Sequence, residues 1–212
     1  MKKLFAILLS CAFFLNITSA QAMEAIGKVS SLTGTLTRIS DETNTILKAG
    51  DEIYKLDRLE VAEASLAKIS FIDETSITLG ENSALDIDEY VYTPEDSTNN
   101  KAEFQITRGA FHYISGLVSK KENPDTTIKL DFGSIGIRGT EIWRDMKPDS
   151  EGNMTCRIYI EDGNVTVFNK YGRTSLGHGE ATKIYGASNP PESAKIWSKE
   201  EIKEIKSAST LP

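Results

Sequence analysis

Phe132-Gly133-Ser134-Ile135-Gly136-Ile137-Arg138-Gly139-Thr140-Glu141-Ile142-Trp143 decides how the rest of the chain is read. Three glycines fall within seven residues, and most of the others are β-branched or aromatic, so the backbone must alternate between extended and tightly turned conformations. A close-packed β element meets that requirement. In an extended segment Ile135 and Ile137 share one face and Arg138 takes the other, before Gly139 permits a bend. The Arg138 guanidinium, planar with five donors, suits two roles: a buried organiser of loop carbonyls, or an exposed grip on a carboxylate. The buried structural role is the expectation. Arg138, Thr140 and Trp143 are the binding candidates if this stretch faces a partner.

On both sides the same texture continues. From Ile26 to Tyr185 the chain consists of short segments of roughly period two, separated by glycine, asparagine, aspartate or proline every eight to twelve residues or so. Ala67, Ile69 and Phe71 share a face, as do Leu85 and Ile87, Phe104 and Ile106, and Val165 and Val167. The fold class read from this is all-β, a single domain of many short strands in a sandwich or solenoid-like stack. Thr93–Lys101 and Met146–Asn153 are polar and read as surface loops. After Asn189-Pro190-Pro191 the β pattern stops. Ser198-Lys199-Glu200-Glu201 then reads as a capping box, with Trp197 and Ile202 placed as a hydrophobic staple. Ile202 and Ile205 give this short helix one apolar stripe, which is expected to cap an open end of the β core.

At the other terminus Lys2 and Lys3 precede the apolar run Leu4 to Leu15, and Ala20-Gln21-Ala22 supplies the small residues of a cleavage site. This reads as a secretory signal, too short for a membrane anchor. The expected organisation is a signal peptide at 1–22, an all-β domain at 23–188, and a linker with a short helix at 189–212. A lipoprotein reading of Leu9-Ser10-Cys11 is set aside, because a cut there would leave only a stub of hydrophobic segment ahead of it. The signal carries two of the 24 basic residues and none of the 31 acidic ones, so the mature chain keeps 22 against 31, a net charge of −9. An acidic surface argues against nucleic acid or an anionic membrane as partner and fits a periplasmic or secreted protein. With Cys11 removed, Cys156 stands alone; alternation puts it beside Ile158 and Ile160 on an apolar face, as an inert buried thiol.

Catalytic and metal chemistry find little to work with. His112 and His178 are the only histidines, one inside an aromatic strand and one between glycines in a turn. Asp86 with Asp88, and Asp149 with Glu151 and Asn153, have spacings that calcium could use, but the second set lacks the glycine and the distal glutamate of an EF-hand loop. No serine elbow or phosphate-binding glycine loop is present. No enzyme activity, cofactor or metal is therefore expected. Tyr90, Tyr92, Phe111, Tyr113, Trp143 and Tyr159 lie in or beside strands, where rings either fill a core or form a glycan platform; core packing is the expectation.

The opening stretch resembles the Gly-Ile-Arg-Gly-Thr signature of the FecR-type domain, named for the ferric-citrate regulator of the bacterial envelope. Ala25-Ile26-Gly27-Lys28-Val29 with Leu32-Thr33-Gly34, and Leu47-Lys48-Ala49-Gly50-Asp51, resemble its opening strand and turns. Ala67–Thr75 is similar to its strand ending in an acidic turn, with Glu74 where the family has glycine. Ile160–Val167 is similar to the hairpin that follows its arginine motif. The resemblance implies a periplasmic sensing or adaptor domain. In the family's namesake such a domain passes a signal from an outer-membrane receptor, through a membrane anchor, to a cytoplasmic sigma factor. This chain shows no amino-terminal cytoplasmic helical segment and no internal membrane span, so the resemblance implies the sensing module alone, working with an envelope or membrane protein partner. A cell-surface glycan-binding or structural role is the alternative.

Overall fold

Period-two alternation translates directly into strands. The computed structural model describes residues 23–121, 124–149 and 151–210; the segment read as a signal peptide, with Cys11, lies outside the described residues. In chain order the strands are β1 Ala25–Thr33, β2 Leu36–Ile39, β3 Thr45–Leu47, β4 Glu52–Tyr54, β5 Arg58–Val61, β6 Leu66–Phe71, β7 Ser76–Leu79 and β8 Ala84–Val91. They continue with β9 Lys101–Arg108, β10 Phe111–Ile114, β11 Thr126–Leu130, β12 Gly133–Pro148, β13 Met154–Asn169, β14 Gly172–Leu176, β15 Glu180–Tyr185 and β16 Lys195–Ile196. One helix, α1 Lys199–Ser207, follows. No described helix is long and apolar enough to cross a membrane.

All the strands join one curled sheet, whose main path is β3-β2-β5-β8-β9-β11-β12-β10-β7-β6-β1-β4. Strand β12 is the joint. Its first half pairs with β11 and its second half with β10 along the same edge, while β13 runs along the other. Two wings therefore fold towards each other about β12, and the chain winds between them: β1 in one, β2 and β3 in the other, β4 back, and so on to β11. Their inner faces meet in a single apolar cluster that includes Ile69, Phe71, Leu85, Phe104 and Tyr113. Phe71 of one wing and Phe104 of the other lie 5.2 Å apart between ring centroids. Burying each such side chain contributes roughly 2–3 kcal/mol before the entropy of ordering it.

The pairs expected to share a face, Ala67 with Ile69 and Phe71, Leu85 with Ile87, Phe104 with Ile106, and Val165 with Val167, all point into this core. Cys156 is buried there with Ile158 and Ile160, and its burial pushes the thiol pKa up. Of the six rings considered as a platform, Tyr90, Phe111, Tyr113, Trp143 and Tyr159 are buried. Pairing of β12 with β13 continues to Pro148 and Met154, so the polar loop expected from Met146 is shorter than the sequence suggested.

Below one end of the sandwich a buried carboxylate ties three turns together. Asp73 is fully buried between β6 and β7. Its Oδ1 accepts from the Thr75 N–H at 3.0 Å and the Tyr90 hydroxyl at 2.7 Å; its Oδ2 accepts from the Thr75 hydroxyl at 2.8 Å and the Val118 N–H at 3.0 Å. A buried charge needs this degree of satisfaction. Glu74, at the tip of the same turn, adopts φ +71°, the left-handed conformation for which glycine is the natural choice.

The capping box of α1 is complete: the Ser198 hydroxyl accepts from Glu201 N–H at 3.2 Å, and the Glu201 carboxylate accepts from Ser198 N–H at 3.1 Å. The helix does not cap an open end of the β core, as the sequence led us to expect. It lies on the outer face of the β12–β13 hairpin, where Trp143 and Tyr159 point outward and require cover.

Candidate interaction site

The hairpin that joins the wings also carries the candidate site, and two glycines shape it. Register along β12 and β13 runs evenly until Arg138 pairs with Asn164; the next pairs are Glu141 with Asp162 and Ile142 with Ile160. One extra residue in β12 and then one in β13 form facing bulges. Gly139 (φ +59°) and Gly163 (φ +84°) make them possible, and a Cβ on Gly163 would meet the Gly139 carbonyl oxygen at 2.0 Å. Because each bulge shifts alternation by one residue, Ile135 and Ile137 face the core before it, and Ile142 and Arg144 face the core after it.

That phase shift puts Arg138 and Arg144 on opposite faces of β12, and Arg144, not Arg138, takes the buried role expected of Arg138. The Arg138 side chain is exposed, and among the described residues it makes no hydrogen bond or ion pair. The buried arginine of β12 is Arg144, whose side chain is wholly enclosed, donates from Nη1 to the Gly109 carbonyl, and lies against Cys156. Thr140 points inward, with its backbone N–H bonded to the Ser115 hydroxyl at 2.8 Å and its carbonyl to the Ser115 N–H at 2.9 Å. Trp143 is buried under α1, its ring stacked on His112 with centroids 3.6 Å apart. The three sequence candidates therefore do not form one site. Arg138 alone reaches an open surface.

That surface is the outer face of the first half of the hairpin. Thr127, Gly136, Thr166 and Ser175 pair in one row across β11, β12, β13 and β14. Arg138 and Asn164 form the neighbouring row. Together they floor a groove of about 660 Å³ whose rim includes Asp125 and Glu180. Gly136 leaves the floor low: a Cβ there would have no atom closer than 3.9 Å. Among the described residues the groove presents a cation, an amide, hydroxyls and two flanking carboxylates. It is equipped to bind a polar surface.

The second half of the same outer face is covered. His112, Trp143, Tyr159 and Ala181 form a row across β10, β12, β13 and β15, beneath α1. His112 Nε2 lies 2.8 Å from Glu141 Oε1; burial lowers the imidazole pKa and outweighs the opposing pull of that carboxylate. Arg157 donates from Nε to Asp145 at 2.8 Å and from Nη1 to Glu204 of α1 at 2.9 Å. Hydrogen bonds from Lys147 and from Arg157 hold the Glu204 carboxyl down at about 2. In the loop with calcium-like spacing, Asp149 instead accepts the N–H groups of Glu151 and Asn153, both at 2.9 Å.

Sequence reasoning missed Arg144, Arg157 and Asp73. For Arg144 a signal existed: Gly139 followed by Thr140 marks a bulge, and counting from the bulge puts Arg144 in phase with Ile142.

The family model described as FecR protein matches residues 57–166. No curated protein matches the chain. Two crystal structures of a protein from Parabacteroides distasonis ATCC 8503, described as a proposed anti-sigma factor, superimpose with TM-scores of 0.53 and 0.52 at 12% and 11% identity. Each alignment covers 69% of this chain, which spans 62% of the length of those structures. At that identity the likeness is one of fold.

Proposed function

This chain belongs to the FecR protein family, and from that premise we propose that it is a non-enzymatic sensor or adaptor module of the cell envelope. In this reading residues 1–22 direct export to the periplasm or beyond. The folded domain binds an envelope or membrane protein, which carries the signal onward. The groove around Arg138 is its contact surface.

The observation that carries this reading is the position of Arg138. Thr140, Ile142, Trp143 and Arg144 of the same stretch are all enclosed by the fold, whereas Arg138 projects from it with no partner among the described residues. An exposed, unpaired guanidinium lining an open groove is available for recognition. Burial of the aromatic candidates leaves no exposed row of those rings for a glycan.

The test is crosslinking in cells of the tagged chain and its Arg138→Ala variant, followed by affinity capture and mass spectrometry. The proposal expects one discrete envelope protein with the wild-type chain, its loss with Arg138→Ala, and a melting temperature unchanged by the substitution, since exposed side chains rarely alter stability by more than about 0.5 kcal/mol. Undiminished capture by the variant, or recovery of polysaccharide fragments alone, overturns it.

A further inference from the structure

Helix α1 sits on the covered half of the hairpin with a provisional fit. Of its nine residues only Ile205 is buried, and Ile202 is partly so. These side chains, with Trp197, meet Trp143, Tyr159 and Ala181 in a small cluster separate from the main core. The remaining ties are ionic: Glu204 with the exposed Lys147 and with the buried Arg157, which keeps Asp145 as a partner without the helix, and at the rim Glu201 with Lys183 at 3.4 Å and Lys206 with Glu161. Rim ion pairs of this kind add little to stability. Meanwhile Trp143 Nε1, Thr155 Oγ1 and Ser209 Oγ are buried on or beside this contact with no hydrogen-bond partner among the described residues. Each unmet group penalises the closed arrangement.

The anchor of this segment lies upstream of the helix. The Glu192 carbonyl accepts from the hydroxyls of Thr174 and Thr182, and the Glu192 N–H donates to the Lys183 carbonyl at 2.9 Å. Between that anchor and α1 only the two-residue strand β16 is paired. The helix can therefore leave while the chain remains fixed at Glu192.

We propose that α1 is a displaceable strap, and that the aromatic face beneath it docks an amphipathic helix of a partner protein. The charges beneath α1 specify that helix. Arg157, Lys147 and Lys183 lie on one side and Glu161 on the other, so the incoming helix carries two aliphatic residues three apart, a carboxylate between them and a lysine next, as Ile202, Glu204, Ile205 and Lys206 do. A side-chain acceptor that reaches the Trp143 indole N–H makes the partner helix the better occupant. This inference rests on reading the chain as a protein-binding module, and it is independent of the Arg138 groove.

The structure supplies a specific lever. A Cβ on Gly80 would lie 2.2 Å from the Ala208 carbonyl oxygen, and Gly80 does not adopt a positive φ, so Gly80→Ala pushes out the end of α1 without touching the aromatic face. Ile205→Asp removes the apolar anchor by a second route. Both tryptophans of the chain, Trp143 and Trp197, belong to this contact, so tryptophan emission, excited selectively over tyrosine, reports on it. The experiment titrates full-length wild type and both variants with a peptide spanning residues 196–210, its tryptophan replaced by phenylalanine. Hydrogen exchange over 199–207 is followed in parallel.

Both variants should lose protection in α1, keep a cooperative sheet transition, and bind the peptide at least tenfold tighter than wild type. The same peptide carrying Glu204→Lys, which sets a cation against the buried Arg157 guanidinium, should bind about tenfold more weakly than the unmodified peptide. Arg138→Ala should leave this titration unchanged, which separates failure here from failure of the groove. Retained protection of α1 in both variants, loss of the sheet together with α1, or no peptide binding to the opened chain overturns the proposal.

Discussion

Replacing Asp73 with asparagine keeps the shape of the side chain and removes one acceptor, and the geometry leaves the amide no comfortable orientation. Each carboxylate oxygen accepts one backbone N–H, Thr75 on Oδ1 and Val118 on Oδ2. Whichever way the amide is turned, its NH2 therefore confronts a backbone donor that cannot rotate, whereas the hydroxyls of Thr75 and Tyr90 can turn to accept. One stranded backbone N–H costs about 1–3 kcal/mol, and exchanging charge-assisted bonds for neutral ones adds about 1 kcal/mol. The amide avoids part of the cost of burying a charge, which trims the sum to about 2.5 kcal/mol. Asp73→Ala strands all four donors and should cost about 4–5 kcal/mol. In urea unfolding, with a slope of about 2 kcal/mol/M, the midpoint should fall by about 1.2 M for asparagine and by 2 M or more for alanine, at unchanged slope. An asparagine variant within about 0.5 kcal/mol of wild type would refute the view of Asp73 as the organiser of these turns.

Three further outcomes are expected. Glu74→Gly relieves a left-handed glutamate at φ +71° and should raise stability by about 0.5–1 kcal/mol, read as a higher melting temperature; no change or a decrease would mean that the turn is unstrained. Gly163→Ala combines a positive φ with a Cβ 2.0 Å from the Gly139 oxygen and should destabilise by about 3 kcal/mol or more in the same melt; a loss below about 1 kcal/mol would refute the tight facing of the two bulges. The Glu204 carboxyl, held at about 2 in the folded chain against an ordinary 4.5, contributes stability that is present above the ordinary value and fades as pH falls towards 2. Exchange protection of α1 should weaken across that window ahead of the sheet. Because Glu204 is 44% exposed, the effect should be modest and diminish with added salt.

What the sequence revealed depended on how local each cause was. Strand existence, the all-β class and the capping box arise from neighbours a few residues apart, and those patterns stand in the chain for anyone to count. Which arginine of β12 is buried depends on parity across a bulge, and parity changes only when Gly139 is set against Gly163, a relation between distant residues. Read without the bulge, Arg138 looked like the organiser and Arg144 went unremarked. Asp73 looked like a turn residue because its partners Tyr90 and Val118 lie 17 and 45 positions away. The groove draws Thr127, Gly136, Thr166 and Ser175 from four strands, none of them conspicuous alone. Trp143 was conspicuous, but whether an outward-facing ring meets solvent or a helix is decided by where the last residues of the chain return.

The placement of β12 also governs the order in which this molecule can assemble. Eleven strands are synthesised before the one that joins them, and β10 and β11 reach the same edge of a strand that does not yet exist. Until residue 133 and beyond emerge, each wing ends in an unpaired edge able to recruit another chain. Contacts between wings are mostly distant in sequence, which places folding in the slow, milliseconds-to-seconds regime of nonlocal β topologies. A nascent chain of this design therefore depends on protection from aggregation until its central hairpin closes, and truncation ahead of Gly133 should yield aggregates rather than a smaller stable domain.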